Sequence, residues 1–142
     1  MSLRLAALVG LLCALTPDSA NSQRIERSTL QAMFDHAEAI NDWQIRDTCL
    51  WGYFFTDRRL EALERAAEEL VKAGYTFVRV LEPELEQGEA RYYFLHVERV
   101  ERHSVDSLHL RNAALYEFAD RHNLGGYDGM DVGPLEDGEC TK

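Results

Sequence analysis

Cysteine, proline and positive charge are all scarce in this chain of 142 residues. Three cysteines without a Cys-x-x-Cys spacing argue against a disulfide-dense miniprotein and against a thiolate zinc site. Three prolines and 46% hydrophobic residues argue against a collagen-like or wholly disordered chain. The sequence contains 15 lysines and arginines and 25 aspartates and glutamates, which gives a net charge of −10. Such a surface repels nucleic-acid phosphates and anionic lipids, so the charge favours a basic protein partner.

The N-terminal apolar run is too short to cross a bilayer. It covers residues 5–15 behind Arg4, about half the length of a membrane-spanning helix. A run of this length, followed by small residues at 20–22, is typical of a secretory signal peptide cut before Gln23. We therefore expect residues 1–22 to be removed and the mature protein to be periplasmic or secreted, with no stable membrane insertion. The alternative is a cytoplasmic protein that keeps this segment.

The rest of the chain alternates between helical and strand periodicity. Ser28 and Gln31 match a capping box, which predicts that a leading helix begins at Ser28. Apolar spacing, turn residues and short aromatic runs predict the other elements. The predicted helices cover 28–41, 60–73 and 104–122, and the predicted strands cover 49–56, 75–81, 91–98 and 127–132.

Without the leading helix, the order of elements is β-α-β-β-α-β. This order predicts an α+β, ferredoxin-like sandwich, in which a four-stranded antiparallel sheet carries two helices on one face. The leading helix is then an addition to that fold. The predicted parts of the chain are the signal peptide (1–22), the N-terminal helix and its connection (23–47), the ferredoxin-like domain (48–134) and a flexible acidic tail (135–142).

Two helices cover only one face of such a sheet. Because side chains alternate along a strand, Phe54 in the first strand and Tyr92 and Phe94 in the third point to the uncovered face. Monomers rarely leave an aromatic patch bare, and the leading helix has its own apolar stripe to bury. We therefore expect the leading helix to cover this face, the alternatives being a partner or a second copy of the chain.

The same topology bears on the cysteines. The last strand runs antiparallel beside the first, so Cys49 and Cys140 belong to neighbouring strand ends. Once Cys13 leaves with the signal peptide, they form an even pair in an oxidising compartment. A disulfide between them is geometrically reachable. The alternative is a free Cys140, since it follows the strand by several residues.

No pattern in the sequence indicates catalysis, a cofactor or a metal. His96 and Glu98 share a strand face, but no third ligand follows at a diagnostic spacing. His36, His103, His109 and His122 have no recognisable catalytic partners, and nucleophile-elbow, zinc-protease and phosphate-loop motifs are absent from the sequence. We expect a protein that is not an enzyme.

The aromatic strands also fit an RNA-recognition motif. However, residues 90–97 lack the consensus of its third strand, and the net charge has the wrong sign for phosphates. Direct binding of nucleic acid is therefore the second alternative.

Acidic residues concentrate in the loop after the second predicted strand and near the C terminus. Such runs are usually solvated, but they can also steer a cationic partner into place. The candidate partner surface consists of Glu82, Glu84, Glu86, Glu89, Asp128 and Asp131.

Residues 48–134 contain four short motifs: the strand end Phe54-Phe55, the helix closing on Gly74-Tyr75, the turn at Pro83, and Tyr127-Asp128-Gly129. Together these motifs resemble the RraB family, the regulators of ribonuclease E activity B. Met130 stands where this family usually has Trp. The glycines and tyrosines among the matching residues have conformational and packing roles of their own, which favours a structural role for the motifs.

The resemblance implies a small acidic, non-catalytic, ferredoxin-like protein. Members of the family bind the non-catalytic region of ribonuclease E and lower its activity. Because ribonuclease E is cytoplasmic, an exported chain would not meet it. We therefore expect a protein-binding regulator with a different target, the alternative being a cytoplasmic inhibitor of ribonuclease E. The sequence leaves the oligomeric state open.

Overall fold

A computed structural model describes residues 24–142, so the predicted signal peptide and Cys13 lie outside the described residues. No helix within this range is long and apolar enough to cross a membrane. The described range forms three helices and four strands. In chain order they are α1 (Arg27–Ile40), β1 (Thr48–Asp57), α2 (Leu60–Lys72), β2 (Thr76–Leu81), β3 (Tyr93–Arg102), α3 (Val105–Arg121) and β4 (Gly126–Gly133).

The four strands form one antiparallel sheet in the order β2-β3-β1-β4. The long central strand β1 pairs with β3 on one side and with β4 on the other. This order is that of a ferredoxin-like fold, so the predicted α+β architecture with an additional N-terminal helix is confirmed.

The helices share one face of the sheet, and the core lies between them and the strands. Trp51, Tyr53 and Phe55 alternate along β1 and are all fully buried on this helix-covered face. Phe118 of α3 packs edge-on against Phe55, with ring centroids 5.6 Å apart. Leu63 of α2 belongs to the same buried cluster.

The predicted position of α1 is wrong. Phe34 of α1 stacks on Trp51, with ring centroids 6.2 Å apart, so α1 lies on the helix-covered face beside α3 and not on the open face. On this face, the apolar stripe of α1 can pack against the large hydrophobic side chain of Trp51. The centre of the open face would offer it polar groups such as Glu98 and Asp131 instead. Within residues 24–142, no helix therefore lies on the other face of the sheet.

The predicted capping box is also wrong. The helix α1 begins at Arg27, its N-cap is Glu26, and no side chain caps it, so Ser28 already lies in the first turn. A contact with α3 holds this start, because Arg27 Nε lies 2.6 Å from Asp106 Oδ1. Tertiary contacts thus set the helix boundary in place of the local capping pattern.

The C-terminal segment differs from the flexible tail that the sequence predicted. The backbone N–H of Thr48 donates to the carbonyl of Thr141 at 2.7 Å, and the N–H of Thr141 donates back at 2.9 Å. The structure also joins Cys49 to Cys140, whose Cα atoms lie 4.7 Å apart. The end of the chain is therefore held against the beginning of β1.

Candidate functional site

The open face of the sheet carries aromatic side chains and charged groups of both signs, Glu98 and Asp131 as well as Arg79 and Arg102. Phe54 and Phe94 point to this face, because their neighbours along the strands point into the core. Both side chains are half-buried. The ring of Phe54 stacks on the imidazole of His96 at a centroid distance of 4.5 Å, and Tyr92 contacts Phe94 at 5.4 Å. Since α1, α2 and α3 all lie on the opposite side, no helix of the described range 24–142 covers these rings.

A notch interrupts the middle of this face. Gly52 pairs with Glu98 on β3 and with Asp131 on β4, and it presents no side chain between them. A Cβ at this position would collide with the Asp131 carboxylate and approach His96 Nε2 to 2.9 Å. The Asp131 carboxylate and the His96 imidazole thus occupy the place that a side chain of residue 52 would take, and we call the cluster of Gly52, His96, Glu98 and Asp131 the Gly52 notch.

The Gly52 notch brings two carboxylates and an imidazole together. His96 Nε2 lies 3.6 Å from Glu98 Oε1, beyond hydrogen-bond distance, and this nitrogen is buried without a hydrogen-bond partner. In the range 24–142, no three His, Cys, Asp or Glu side chains form a group that could hold a metal ion. The sequence pointed to His96 and Glu98 together, but it missed Gly52, because only the strand register shows what lies beside a glycine.

The predicted acidic surface separates into distant parts. Glu82, Glu84, Glu86 and Glu89 lie in the loop between β2 and β3, whereas Asp128 and Asp131 lie in β4, at the opposite edge of the sheet. Of the six, Asp131 borders the Gly52 notch.

Two of the loop carboxylates are already engaged. Arg91 Nε lies 2.6 Å from Glu82 Oε1, and its hydrogen bond lowers the pKa of the Glu82 carboxyl. Glu89 Oε2 accepts the backbone N–H of Glu86 at 2.9 Å. These contacts leave less of the loop's charge for a partner than the sequence suggested.

Most of the family motif supports the fold. The hydroxyl of Tyr127 donates to Asn112 Oδ1 at 2.7 Å between two buried side chains. Gly129 has φ +110°, a conformation that favours glycine, where the pairing of β4 with β1 shifts register. Asp128, between them, borders a cavity of about 470 Å³, and burial raises the pKa of its carboxyl.

The other motif residues follow α2. Gly74 adopts φ +99° directly after the C-cap Ala73, as expected for a glycine that ends a helix. Tyr75 is buried and packs edge-on against Tyr53, with ring centroids 5.8 Å apart. Pro83 is half-buried in the β2–β3 loop.

A buried polar network connects β1, β3 and α3. Glu101 accepts hydrogen bonds from Tyr53 Oη at 2.9 Å and from Arg111 at 2.7 Å, and His103 Nε2 lies 3.3 Å from its carboxylate. Burial alone would raise the pKa of Glu101, but hydrogen bonds from His103, Arg111 and Tyr53 outweigh it and lower the pKa to about 2. Sequence reasoning missed this network, although Glu101 and His103 continue the core-facing alternation of β3.

The remaining histidines do not join the open face. His36 is exposed on α1, and His109 is half-buried on α3. His122, at the C-cap of α3, packs on Phe118 with ring centroids 4.2 Å apart. None of them stands beside the Gly52 notch.

Comparison with known proteins identifies the family. None of the curated proteins compared with this chain matches it. The model of the family "Regulator of ribonuclease activity B" matches residues 27–132, which includes α1 as well as the ferredoxin-like elements. The match covers most of the chain and agrees with the fold, and the family is regulatory and non-catalytic. The chain belongs to the RraB family, the regulators of ribonuclease activity B.

Proposed function

We propose that this protein is a non-catalytic regulator that binds a protein partner through the open face of its sheet. The observation that carries the proposal is the position of α1, α2 and α3, because none of these helices of residues 24–142 covers the rings of Phe54 and Phe94. Half-buried aromatic side chains on an open sheet face are typical of interaction sites. Family membership supports a regulatory role.

The net charge of the chain favours a cationic partner. Glu98 and Asp131 stand at the centre of the face, and the whole chain carries a net charge of −10. Opposite charge on a partner speeds and orients its approach. Phe54 and Phe94 occupy strands on which an RNA-recognition motif also carries aromatic residues. However, a bound RNA strand would place its phosphates near these carboxylates, and the like charges would repel each other.

We further propose that the protein is exported and that its target is a periplasmic or secreted protein. The signal-like pattern of residues 1–22 supports export, and so does the position of Cys49 beside Cys140, since disulfides persist in oxidising compartments. The alternative is a cytoplasmic regulator that binds the non-catalytic region of ribonuclease E.

Capture of a partner by matched variants tests the role of the face. Phe94→Ser removes an aromatic ring from the open face, and Phe77→Ser makes the same change at an exposed position on the edge strand β2. Immobilised wild-type chain and both variants are cross-linked to exported and cytoplasmic fractions, and the captured proteins are identified by mass spectrometry. We expect one protein that is captured by the wild type and by Phe77→Ser but not by Phe94→Ser.

Two results of that experiment contradict the proposal. Equal capture by both variants would show that the open face is not the binding surface. Capture that disappears after treatment with ribonuclease would favour the nucleic-acid alternative.

N-terminal sequencing of the mature protein tests export separately. We expect the chain to begin at Gln23. A chain that begins at Met1 or Ser2 would contradict export and favour the cytoplasmic alternative.

A further inference from the structure

We infer that the outer edge of β2 is a dimerisation surface, at which a second copy of this chain pairs antiparallel with the first. The inference goes beyond the proposed function, because β2 is an edge strand of the sheet, whereas the proposed partner docks on the open face. It rests on the exposed apolar side chains of β2 and α2, on the backbone of β2 and on the charges beside them.

Exposed apolar side chains are concentrated at this edge. Phe77 and Val78 in β2 are 47% and 38% exposed, and Val71 in α2 is 49% exposed. Phe77 and Val71 line one groove of about 380 Å³ together with Ala67. Neighbouring apolar side chains of this kind favour contact with another apolar surface, because the contact removes both surfaces from water.

The backbone of β2 is open on the same side. The strand pairs with β3 alone, and within residues 24–142 no further backbone hydrogen bond involves Thr76–Leu81. A strand edge with unpaired N–H and C=O groups is a template for another strand. The composition of β2 suits such pairing, because the strand contains one charged residue, Arg79, and neither glycine nor proline.

The other edge strand of the sheet, β4, has the opposite composition. It contains three glycines as well as Asp128 and Asp131. Glycine weakens a strand, and aspartates on an edge repel those of an identical strand. The sheet therefore has one edge that resists pairing with a copy of itself and one that favours it, and the second is β2.

The charges beside the groove match those of a second copy. Glu68 and Lys72 also line the groove and lie one turn apart on α2. A two-fold axis beside β2 runs the two α2 helices antiparallel, so that Glu68 of one copy approaches Lys72 of the other. Across residues 24–142 the structure records no hydrogen bond or ion pair from the Glu68 carboxylate, whereas Lys72 Nζ lies 2.9 Å from Glu69 Oε1. One surface thus supplies both members of the intermolecular pair, as a two-fold interface requires.

The size of the surface sets the expected affinity. Stable protein interfaces bury about 1,200–2,000 Å² in total. The edge of β2 offers less, because the strand has six residues and a bulge between Phe77 and Arg79 interrupts it. We therefore expect a dissociation constant of about 100 µM and a monomer in dilute solution. Since both copies use the same edge, association should stop at two copies.

The net charge gives the salt dependence a sign. Two copies that each carry −10 repel each other at long range, and salt screens this repulsion while leaving apolar contacts in place. Raising the salt concentration from about 50 to about 500 mM should therefore strengthen dimerisation at least about threefold. The binding of a cationic partner to the open face should respond in the opposite direction.

Sedimentation velocity of the mature chain, from about 5 to about 500 µM at both salt concentrations, tests the inference. Val78→Lys brings two ammonium groups together at the paired edges, so it should weaken dimerisation at least about tenfold. Val100→Lys is the matched control, because Val100 is 56% exposed but lies on the inner strand β3. It should leave dimerisation unchanged.

A charge exchange on α2 tests the two-fold arrangement. Glu68→Lys should weaken dimerisation about threefold, because it sets two ammonium groups against each other. Adding Lys72→Glu to that variant should restore dimerisation, because it recreates the pair with the signs reversed. Both positions are exposed, so these variants still decide the question if Val78→Lys does not fold. A loss that the double variant does not reverse would contradict the two-fold pair.

Three further results would overturn the inference. They are a chain that stays monomeric at about 500 µM in high salt, equal weakening by Val78→Lys and Val100→Lys, and concentration-dependent amide NMR shifts that follow β4 in place of β2. Capture of the partner by Phe77→Ser, which alters the edge and leaves the open face intact, reports on the docking face by itself. A failed dimer and a failed docking face are therefore distinguishable.

Discussion

At the scale of single residues, the most consequential side chain outside the open face is Glu101. It is 12% exposed and accepts hydrogen bonds from Tyr53 and Arg111, beside His103. Burial raises the pKa of the Tyr53 hydroxyl, so this group stays protonated and donates. Glu101 thus connects its own strand β3 to β1 and to α3. We expect its charged carboxylate to stabilise the fold through these hydrogen bonds.

Glu101→Gln should lower the free energy of unfolding by about 2 kcal/mol at pH 7, because it removes the charge from these hydrogen bonds. The pKa of Glu101 is lowered to about 2 in the folded protein, against about 4.3 in an unfolded chain. The stabilisation is therefore fully present above about pH 4.3 and is lost as the pH falls towards 2. Urea unfolding at pH 7 and at pH 3 measures the difference between variant and wild type.

Glu64→Gln is the control for this prediction, since Glu64 is exposed on α2. It should change the free energy of unfolding by less than about 0.5 kcal/mol at either pH. If Glu101→Gln lowered the free energy of unfolding by the same amount at pH 3 and at pH 7, the charge of Glu101 would not be the cause of the loss.

Residue positions differed in how well the sequence predicted them. Gly74 was predicted from local pattern alone, because a glycine after an amphipathic stretch has few other roles. Gly52 and Glu101 were not predicted, because their importance depends on neighbours that are distant along the chain. Glu98 and Asp131 lie beside Gly52, and Tyr53 lies beside Glu101, each at a separation of at least 46 residues. Single-sequence periodicity carries no information on such distant neighbours.

At the scale of elements, the type of each helix and strand followed from the sequence, but the place of α1 did not. Ser104 caps α3 as predicted, with its hydroxyl accepting the Ser107 N–H at 3.1 Å. Apolar spacing predicts a stripe of Leu30, Met33, Ala37 and Ile40 on α1, with Phe34 beside it. In the structure α1 does bury one side, but that side consists of Leu30, Phe34 and Ala37, and Ile40 is 63% exposed. An apolar stripe does not specify which face of the sheet the helix packs on. In the structure, α1 packs on the face that carries Trp51.

Phe34→Ala should lower the free energy of unfolding by about 3–5 kcal/mol, because Phe34 is fully buried against Trp51 and the substitution leaves a cavity. Phe77→Ala, at a side chain that is 47% exposed, should cost less than about 1 kcal/mol. Urea unfolding followed by tryptophan fluorescence measures both. A similar small loss for the two variants would contradict the packing of α1 on this face.

The C-terminal segment gives a second prediction at this scale. Cys140→Ser should lower the free energy of unfolding by about 2–4 kcal/mol under oxidising conditions, because the bridge joins cysteines 91 residues apart and restricts the unfolded chain. Under reducing conditions the variant and the wild type should unfold alike. Thiol labelling of the non-reduced mature chain should find Cys49 and Cys140 blocked, and two reactive thiols would contradict the bridge.

At the scale of the whole molecule, the excess of negative charge lies in residues 23–142. Residues 1–22 contain one arginine and one aspartate, so residues 23–142 carry the whole net charge of −10. This charge is spread over the loop, β4 and the helix surfaces, but the aromatic side chains of the open face are concentrated on β1 and β3. Although Glu98 and Asp131 stand on the open face, most of the charge that attracts a partner at long range therefore lies away from the aromatic side chains that would contact it.

This separation predicts how salt affects the binding of the captured partner. Raising the salt concentration from 50 to 500 mM should slow association about tenfold, because ions screen the long-range field, while dissociation should change less, because it breaks contacts with the desolvated face. Surface plasmon resonance at both salt concentrations measures the two rates. Phe94→Ser should speed dissociation at either concentration, whereas Glu84→Gln, in the exposed loop, should slow association slightly and leave dissociation unchanged. An association rate that is independent of salt would show that the negative charge does not guide the partner to the face.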